Sequence, residues 1–335
     1  MPFFSPVRLS RVGAGPVLLA LLALVASLLA AAGPAAAVPT GPAELISTNA
    51  DGDDSGDDQS TGPPSISDDG RYVAFTSRAT DLVDGFVDGN GANFGDVYLR
   101  DTAMGTTTLV SHAAGSPLTS AAGGSSGNPR VSADGRYVVY DTFATNLVAG
   151  VTDTNNERDV YLYSVANGTT TLVSHAHDDT AQTCDQGQSL GADIANDGSV
   201  VAYQSACDDL IDNMQASGDS QVFRWDRAAD TTELVSRPNA INPNNVVPGN
   251  GSSQNADLSG DGQFVVYTTA ATNIGAGGDA NGTSDIGYYR IDGVNGGNLP
   301  ALSTYLSLNN ALSGTGNGFA SRATISDDGR WVSYE

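Results

Sequence analysis

Apolar and polar positions recur along this chain in one pattern. SISDDGRYVAF (65–75), RVSADGRYVVY (130–140), DIANDGSVVAY (193–203), DLSGDGQFVVY (257–267) and TISDDGRWVSY (324–334) each set an Asp-Gly step between an apolar position and an apolar run. Asp-Gly in that setting predicts a tight hairpin, because glycine adopts the positive φ such turns require. The turn glycines Gly70, Gly135, Gly198, Gly262 and Gly329 are spaced 65, 63, 64 and 67 residues apart, so the units are read as repeats before any local motif is weighed.

More of each unit aligns than this hairpin. Thr80, Thr145, Asp208 and Thr272 follow the glycine by ten residues, and Leu82, Leu147, Leu210 and Ile274 by twelve. An aromatic segment comes next, as DVYLRD (96–101), DVYLYS (159–164), QVFRWD (221–226) and YYRID (288–292). The last segment is TTTLVSH (106–112), TTTLVSH (169–175), TTELVSR (231–237) or STYLSL (303–308). No helical period runs between them, so each unit is read as four short β-segments. Four antiparallel strands per repeat predict propeller blades, with AAGGSSGNP (121–129) and NPNNVVPGNG (242–251) as loops between them.

The segments SISDDGRYVAF and RVSADGRYVVY resemble the PD40, or TolB-like, propeller repeat, a WD40-like family marked by a Ser-Pro-Asp-Gly type of turn before an apolar strand. Here the turn proline is replaced by Asp68, Ala133, Asn196, Gly260 and Asp327. The resemblance covers about residues 44–335 and implies an all-β fold. That fold is a β-propeller of four-stranded antiparallel blades, with four complete repeats beginning near 65, 130, 193 and 257 and a partial fifth near 324. Similar propellers serve as protein-interaction platforms, as gates in front of serine peptidases and as sugar-lyase scaffolds. GPAELISTNADG (41–52) resembles the last strand of a unit and its loop, so residues 38–64 are expected to supply a blade-closing N-terminal strand and an acidic loop. The fifth unit breaks off at Glu335 after its second segment, from which a natural chain longer than this one is expected.

The N-terminus changes the picture of location. Arg8 and Arg11 precede an apolar stretch from about Val17 to Ala32, and Ala35-Ala36-Ala37 offers a cleavage site before Val38. Residues 1–37 are therefore read as a secretory signal peptide. The stretch is short for a membrane span, so release outside the cytoplasm is expected, with no membrane insertion after cleavage.

Without that segment, 14 − 2 = 12 arginines face 38 acidic residues, a net charge near −26. Such a charge makes nucleic acid and anionic membranes poor partners. No lysine occurs anywhere, which rules out a Schiff-base or lysine-nucleophile mechanism. In an oxidising compartment Cys184 and Cys207, the only cysteines, are expected to form one disulfide, stabilising by about 3 kcal/mol.

Candidate chemistry concentrates between the second and third segments of each unit. DTNNERD (153–159) and DANGTSD (279–285) share an Asp-x-Asn-x-x-x-Asp spacing, which can turn oxygens around a hard cation such as calcium. The ligands would be Asp153, Asn155 and Asp159, then Asp279, Asn281 and Asp285, with a longer version in Asp88, Asn90 and Asp96. The third unit, around Asp212 and Asp219, has lost the pattern. The competing reading is that Asp, Asn and Gly simply make turns there.

Other motifs carry less. DGDDSGDD (51–58) reads as a solvated acidic loop, and His112 and His175, at equivalent positions with His177 close by, read as structural. A metal cluster of His177, Asp178 and Asp179 lacks a second well-placed histidine. GGSSG (123–127) matches a nucleophile pattern around Ser125 but sits in a low-complexity run without a strand-turn-helix context. The sequence thus points to an exported, non-enzymatic propeller that binds protein, peptide or glycan, with calcium-stabilised loops. The alternative is an accessory propeller of a secreted hydrolase or lyase whose catalytic part lies outside this chain.

Overall fold

A computed structural model describes residues 43–239, 242, 244–275, 279, 281–291, 302–308, 315–316 and 318–335. The expected signal peptide, 1–37, lies outside the described residues. Every regular element described is a strand, and no helix among the described residues is long and apolar enough to cross a membrane.

Four four-stranded sheets follow one another along the chain. The first holds β1 (Ser60–Ile66), β2 (Tyr72–Ser77), β3 (Asp96–Asp101) and β4 (Thr106–Leu109). A small hairpin, β5 (His112–Ala113) with β6 (Ser116–Ser120), leads to the second sheet, made of β7 (Ser126–Val131), β8 (Tyr137–Thr142), β9 (Asp159–Ser164) and β10 (Thr169–Leu172). A like hairpin, β11 (His175–Ala176) with β12 (Asp179–Thr183), precedes β13 (Ser189–Ile194), β14 (Val200–Ser205), β15 (Gln221–Asp226) and β16 (Thr231–Leu234). The fourth sheet is β17 (Ser253–Leu258), β18 (Phe264–Thr269), β19 (Asp285–Arg290) and β20 (Leu302–Tyr305), and β21 (Thr324–Ile325) pairs with β22 (Val332–Ser333). Each sheet is antiparallel in sequential order, the topology of a propeller blade.

Side chains alternate between the two faces of each sheet, and the second and third strands are buried on both. Phe75 stacks on Tyr98, Tyr140 on Tyr161 and Tyr203 on Phe223, with ring centroids 5.9, 6.3 and 6.0 Å apart. The column Leu82, Leu147, Leu210 and Ile274 is buried, as its recurrence twelve residues after each turn glycine suggested. Neighbouring sheets interlock at the Asp-Gly turns. A Cβ on Gly135 would lie 2.3 Å from the ring of Tyr72, one on Gly198 2.2 Å from Tyr137, and one on Gly329 2.4 Å from Phe264. The turns also bond in series, Asp68 N–H to Ala133 O (3.0 Å), Asn196 N–H to Gly260 O (2.8 Å) and Gly260 N–H to Asp327 O (3.0 Å).

The structure corrects several sequence boundaries. The third strand of the fourth sheet begins at Asp285 rather than at Tyr288, because Gly287 stands where the others have Tyr98, Tyr161 and Phe223. Tyr267 fills the space, 2.4 Å from where a Cβ on Gly287 would sit. TTTLVSH is not one strand. Val110 and Ser111 both donate to Val97 O, and the kink sends His112 into a separate hairpin. The second half of AAGGSSGNP belongs to β7, where a bulge with Asn128 at φ 52° accommodates Pro129.

Residues 45–56 share a pattern of hydrogen bonds with the end of a unit. Gly56 N–H bonds Ser47 O (2.9 Å) as Ala121 N–H bonds Ser111 O (3.0 Å), and Thr48 bridges Ser55 as His112 bridges Ser120. The acidic run there is a structured turn. Asp57 accepts from both N–H and Oγ1 of Thr80, each at 2.7 Å.

Candidate functional site

The loops expected to hold calcium are built alike in three units. Asp153 Oδ1 accepts the N–H groups of Asn155 (3.1 Å) and Asn156 (2.8 Å), Asp88 those of Asn90 (3.1 Å) and Gly91 (2.6 Å), and Asp279 those of Asn281 (2.7 Å) and Gly282 (3.2 Å). These are Asx-type turns, which explains the Asp-x-Asn spacing locally.

The asparagine amides of the three loops are engaged within the protein. Asn155 Nδ2 donates to Cys184 O (2.8 Å) and Gly187 O (2.9 Å), Asn90 Nδ2 to Gly124 O (3.2 Å) and Asp96, and Asn281 Nδ2 to Gly316 O. Their oxygens accept hydrogen bonds from Glu157 N–H, Ser120 Oγ and Thr283 N–H. Each asparagine therefore ties its loop to the connection entering the next unit.

The closing acid of each loop is also the first residue of the third strand. Asp96, Asp159 and Asp285 are buried, and accept from Ser111 Oγ (3.1 Å), Ser174 Oγ (2.9 Å) and Ser307 Oγ (2.8 Å). Burial pushes Asp96 up to about 7 and Asp159 up to about 8, with Asp88 and Asp153 adding repulsion, and it raises Asp285 too. The third unit shows the uncharged solution. Gln221 accepts from Ser236 Oγ (2.7 Å), while its own Nε2 donates to Gly249 O (3.1 Å) and Gly251 O (3.4 Å). One carboxamide replaces the Asp–Asn pair of the other units.

Cys184 and Cys207 form the expected disulfide, 6.0 Å apart at Cα. It occupies a column of close approach. Gly56 faces Ala79 and Gly249 faces Ala271 at the equivalent place, with built Cβ distances of 2.8 and 3.0 Å. His112 Nδ1 and His175 Nδ1 contact the carbonyls of Ala113 and Ala176, and His175 Nε2 lies 3.2 Å from Asp230. His177 lies against Asp209 O (3.0 Å) and 3.8 Å from Asp212 rather than joining Asp178 and Asp179. Ser125 Oγ accepts from Gly95 N–H at 3.2 Å.

A site that sequence reading missed lies between the first strands of successive units. A cleft of about 280 Å³ is lined by residues of β1, β7, β13, β17 and β21. Every one of these units carries a residue of left-handed backbone in or just before its first strand. These are Gly62 (φ 74°), Asn128 (52°), Gly191 (63°), Asn255 (55°) and Arg322 (53°), and register shifts mark bulges in the four longer strands. Side chains hold the bulges in place. Asp141 accepts from Asn128 Nδ2 (3.0 Å), from Gly191 N–H (3.2 Å) and from Arg158, and Gln204 Oε1 accepts from Asn255 N–H (3.1 Å).

Just below the bulges stand Ser65, Arg130, Asp193, Asp257 and Thr324. These open the five repeated strings, and the signal was there to be read: a polar residue in all five copies at a strand position. Asp193 Oδ2 accepts Leu258 N–H (2.8 Å), Asp257 Oδ2 accepts Ile325 N–H (2.7 Å) and Ser65 Oγ accepts Val131 N–H (3.0 Å). Each thereby stitches one unit to the next. Burial raises both carboxyls, Asp257 to about 6, where Asp193 adds repulsion and Arg130 opposes it.

No protein-family model matches the chain, and no curated protein matches it. Solved structures similar to it include TolB from Acinetobacter baumannii, at 14% identity over 82% of this chain and 53% of that one, with a TM-score of 0.40. The chain thus spans about half the length of that protein. An oligogalacturonate lyase from Vibrio parahaemolyticus is similar at 12% identity over 82% of this chain and 62% of that one, TM-score 0.43. Dipeptidyl peptidase 4 from Porphyromonas gingivalis is similar at 12% over 68% and 30%, TM-score 0.38. These likenesses concern the TolB-like propeller fold alone; the blade assignment here rests on strand order and register.

Proposed function

We propose that this chain is an exported, non-enzymatic β-propeller of four complete repeats and part of a fifth, and that it binds a protein or peptide segment in the cleft between its first strands. The cleft is the observation that carries this reading. It is concave, lined by strands from all five units, and held by fixed bulges, as a preformed recognition site on a rigid scaffold requires. Export is supported by the charged-then-apolar N-terminus and by the disulfide. The histidines and cysteines of the described residues are committed to carbonyls, Asp230 and each other, which supports binding over nucleophilic chemistry.

The experiment is selection from a displayed peptide library on the secreted protein, repeated on Thr324→Trp, which places a large side chain at the cleft rim. Peptides retained by the natural protein and lost with Thr324→Trp support the proposal. Retention unaffected by Thr324→Trp, or retention of none, overturns it.

A further inference from the structure

The charged groups of the cleft point to a ligand chemistry, on the reading that the cleft is a binding seat. Most arginines of this acidic chain have a partner: Arg71 pairs with Asp101 (2.7 Å), Arg158 with Asp141, Arg224 and Arg237 with Glu233 (3.3 and 3.5 Å). Arg130, Asp193 and Asp257 differ. Among the described residues none of the three forms an ion pair, although all line one cleft.

Each carboxylate has one oxygen committed to the next unit. The committed atoms are Asp193 Oδ2 and Asp257 Oδ2; the Asp193 carboxylate also draws on Ile194 N–H, which leaves Asp257 Oδ1 as the oxygen open to a donor. Asp327 adds negative charge, and Arg130 and Arg322 are the cations of the surroundings. The space of about 280 Å³ lies at the lower end of ligand pockets, enough for one extended side chain.

We infer that the cleft seats a cationic group of a peptide, an ammonium or guanidinium held between the Asp193 and Asp257 carboxylates. Two half-buried like charges side by side are costly, and a donor cation between them relieves both repulsion and lost hydration. Arg130, which lines the same cleft and attracts both carboxylates, can turn to a carbonyl or carboxylate oxygen of the same ligand once the ligand's cation replaces it there. A net charge near −26, from 12 − 38, draws cationic ligands toward the molecule.

Titration calorimetry on the secreted protein tests this with three probes: acetyl-Gly-Arg-Gly-amide, and the same peptide with Glu or Gln in the centre. The arginine peptide is expected to bind, and Asp257→Asn and Asp193→Asn each to weaken it about tenfold or more, the size of a lost charge-assisted hydrogen bond. Melting temperatures of the variants show whether the fold is intact. Near pH 6 the binding heat is expected to depend on the buffer's ionisation enthalpy, because a cation drives a proton off Asp257, raised to about 6. A purely structural role for the carboxylates gives no such dependence. Preference for the glutamate peptide, equal binding of all three, or no binding of the arginine peptide overturns the inference. Peptides selected in display that carry no cationic group would overturn it too, while leaving the binding cleft itself standing.

Discussion

Gly198 and Gly70 occupy the same turn position, and their surroundings separate two causes for one residue type. Both have positive φ, 69° and 71°, but a Cβ on Gly198 meets Tyr137 at 2.2 Å while one on Gly70 meets nothing within 4 Å. Gly70→Ala is expected to cost about 1 kcal/mol, from backbone strain alone. Gly198→Ala adds a clash between units and is expected to cost about 3 kcal/mol. Urea denaturation of the two variants checks this, and equal losses would remove the interlocking role of the turn.

Asp159 gives a second test at this scale. Its carboxyl is raised to about 8 in the folded chain against 3.8 as its ordinary value. The folded state therefore holds the proton more tightly, and the stability this contributes is present below about pH 4 and lost as pH rises through 8. Asp159→Asn keeps an acceptor for Ser174 and removes the titration, as Gln221 does in the third unit. The melting temperature of the variant is expected to gain on the natural protein between pH 6 and 9. A calcium-induced rise at pH 8 that Asp159→Asn abolishes would instead assign the carboxylate to a bound cation.

At the scale of elements, the hairpins at the Asp-Gly turns were legible because their chemistry is local and repeated five times. The third strand of the fourth unit was misplaced by three residues because alignment followed aromatic rings, and Gly287 hands that space to Tyr267 from the neighbouring strand. The hairpins β5–β6 and β11–β12 went unread since two-residue strands such as His112–Ala113 leave no alternation to detect. The disulfide was legible by count, but not its setting in a column where other units pair Gly56 with Ala79 and Gly249 with Ala271. That column predicts tolerance. The double variant Cys184→Ala, Cys207→Ala is expected to fold and to lose about 3 kcal/mol, read by denaturant melting. Failure to fold would mean the bond is required by more than the entropy of a 23-residue separation.

Over the whole molecule, the repeat explains where recognition can sit. Four sheets present their first strands to one cleft, and a bulge at the same place in each holds a polar side chain below the lip. The residues differ between units, Ser65, Arg130, Asp193, Asp257 and Thr324, whereas the turns and core columns repeat. Repetition is what made the fold readable from sequence. The site was not readable for the opposite reason: its residues are alike only in being polar, and their meeting depends on three-dimensional convergence of strands more than sixty residues apart. In the loops that did repeat, Asn155 of the clearest copy donates to the Cys184 and Gly187 carbonyls, while Asp153 and Asp159 accept from Asn155 N–H and Ser174 Oγ.

The most direct measurement is a nuclear magnetic resonance titration of the labelled, secreted protein with a peptide selected for binding. Amide shifts are expected to cluster at Gly191, Asp193, Asn255, Asp257 and Thr324, and to vanish in Thr324→Trp. Shifts confined to the loops around Asp88, Asp153 and Asp279 would contradict this expectation.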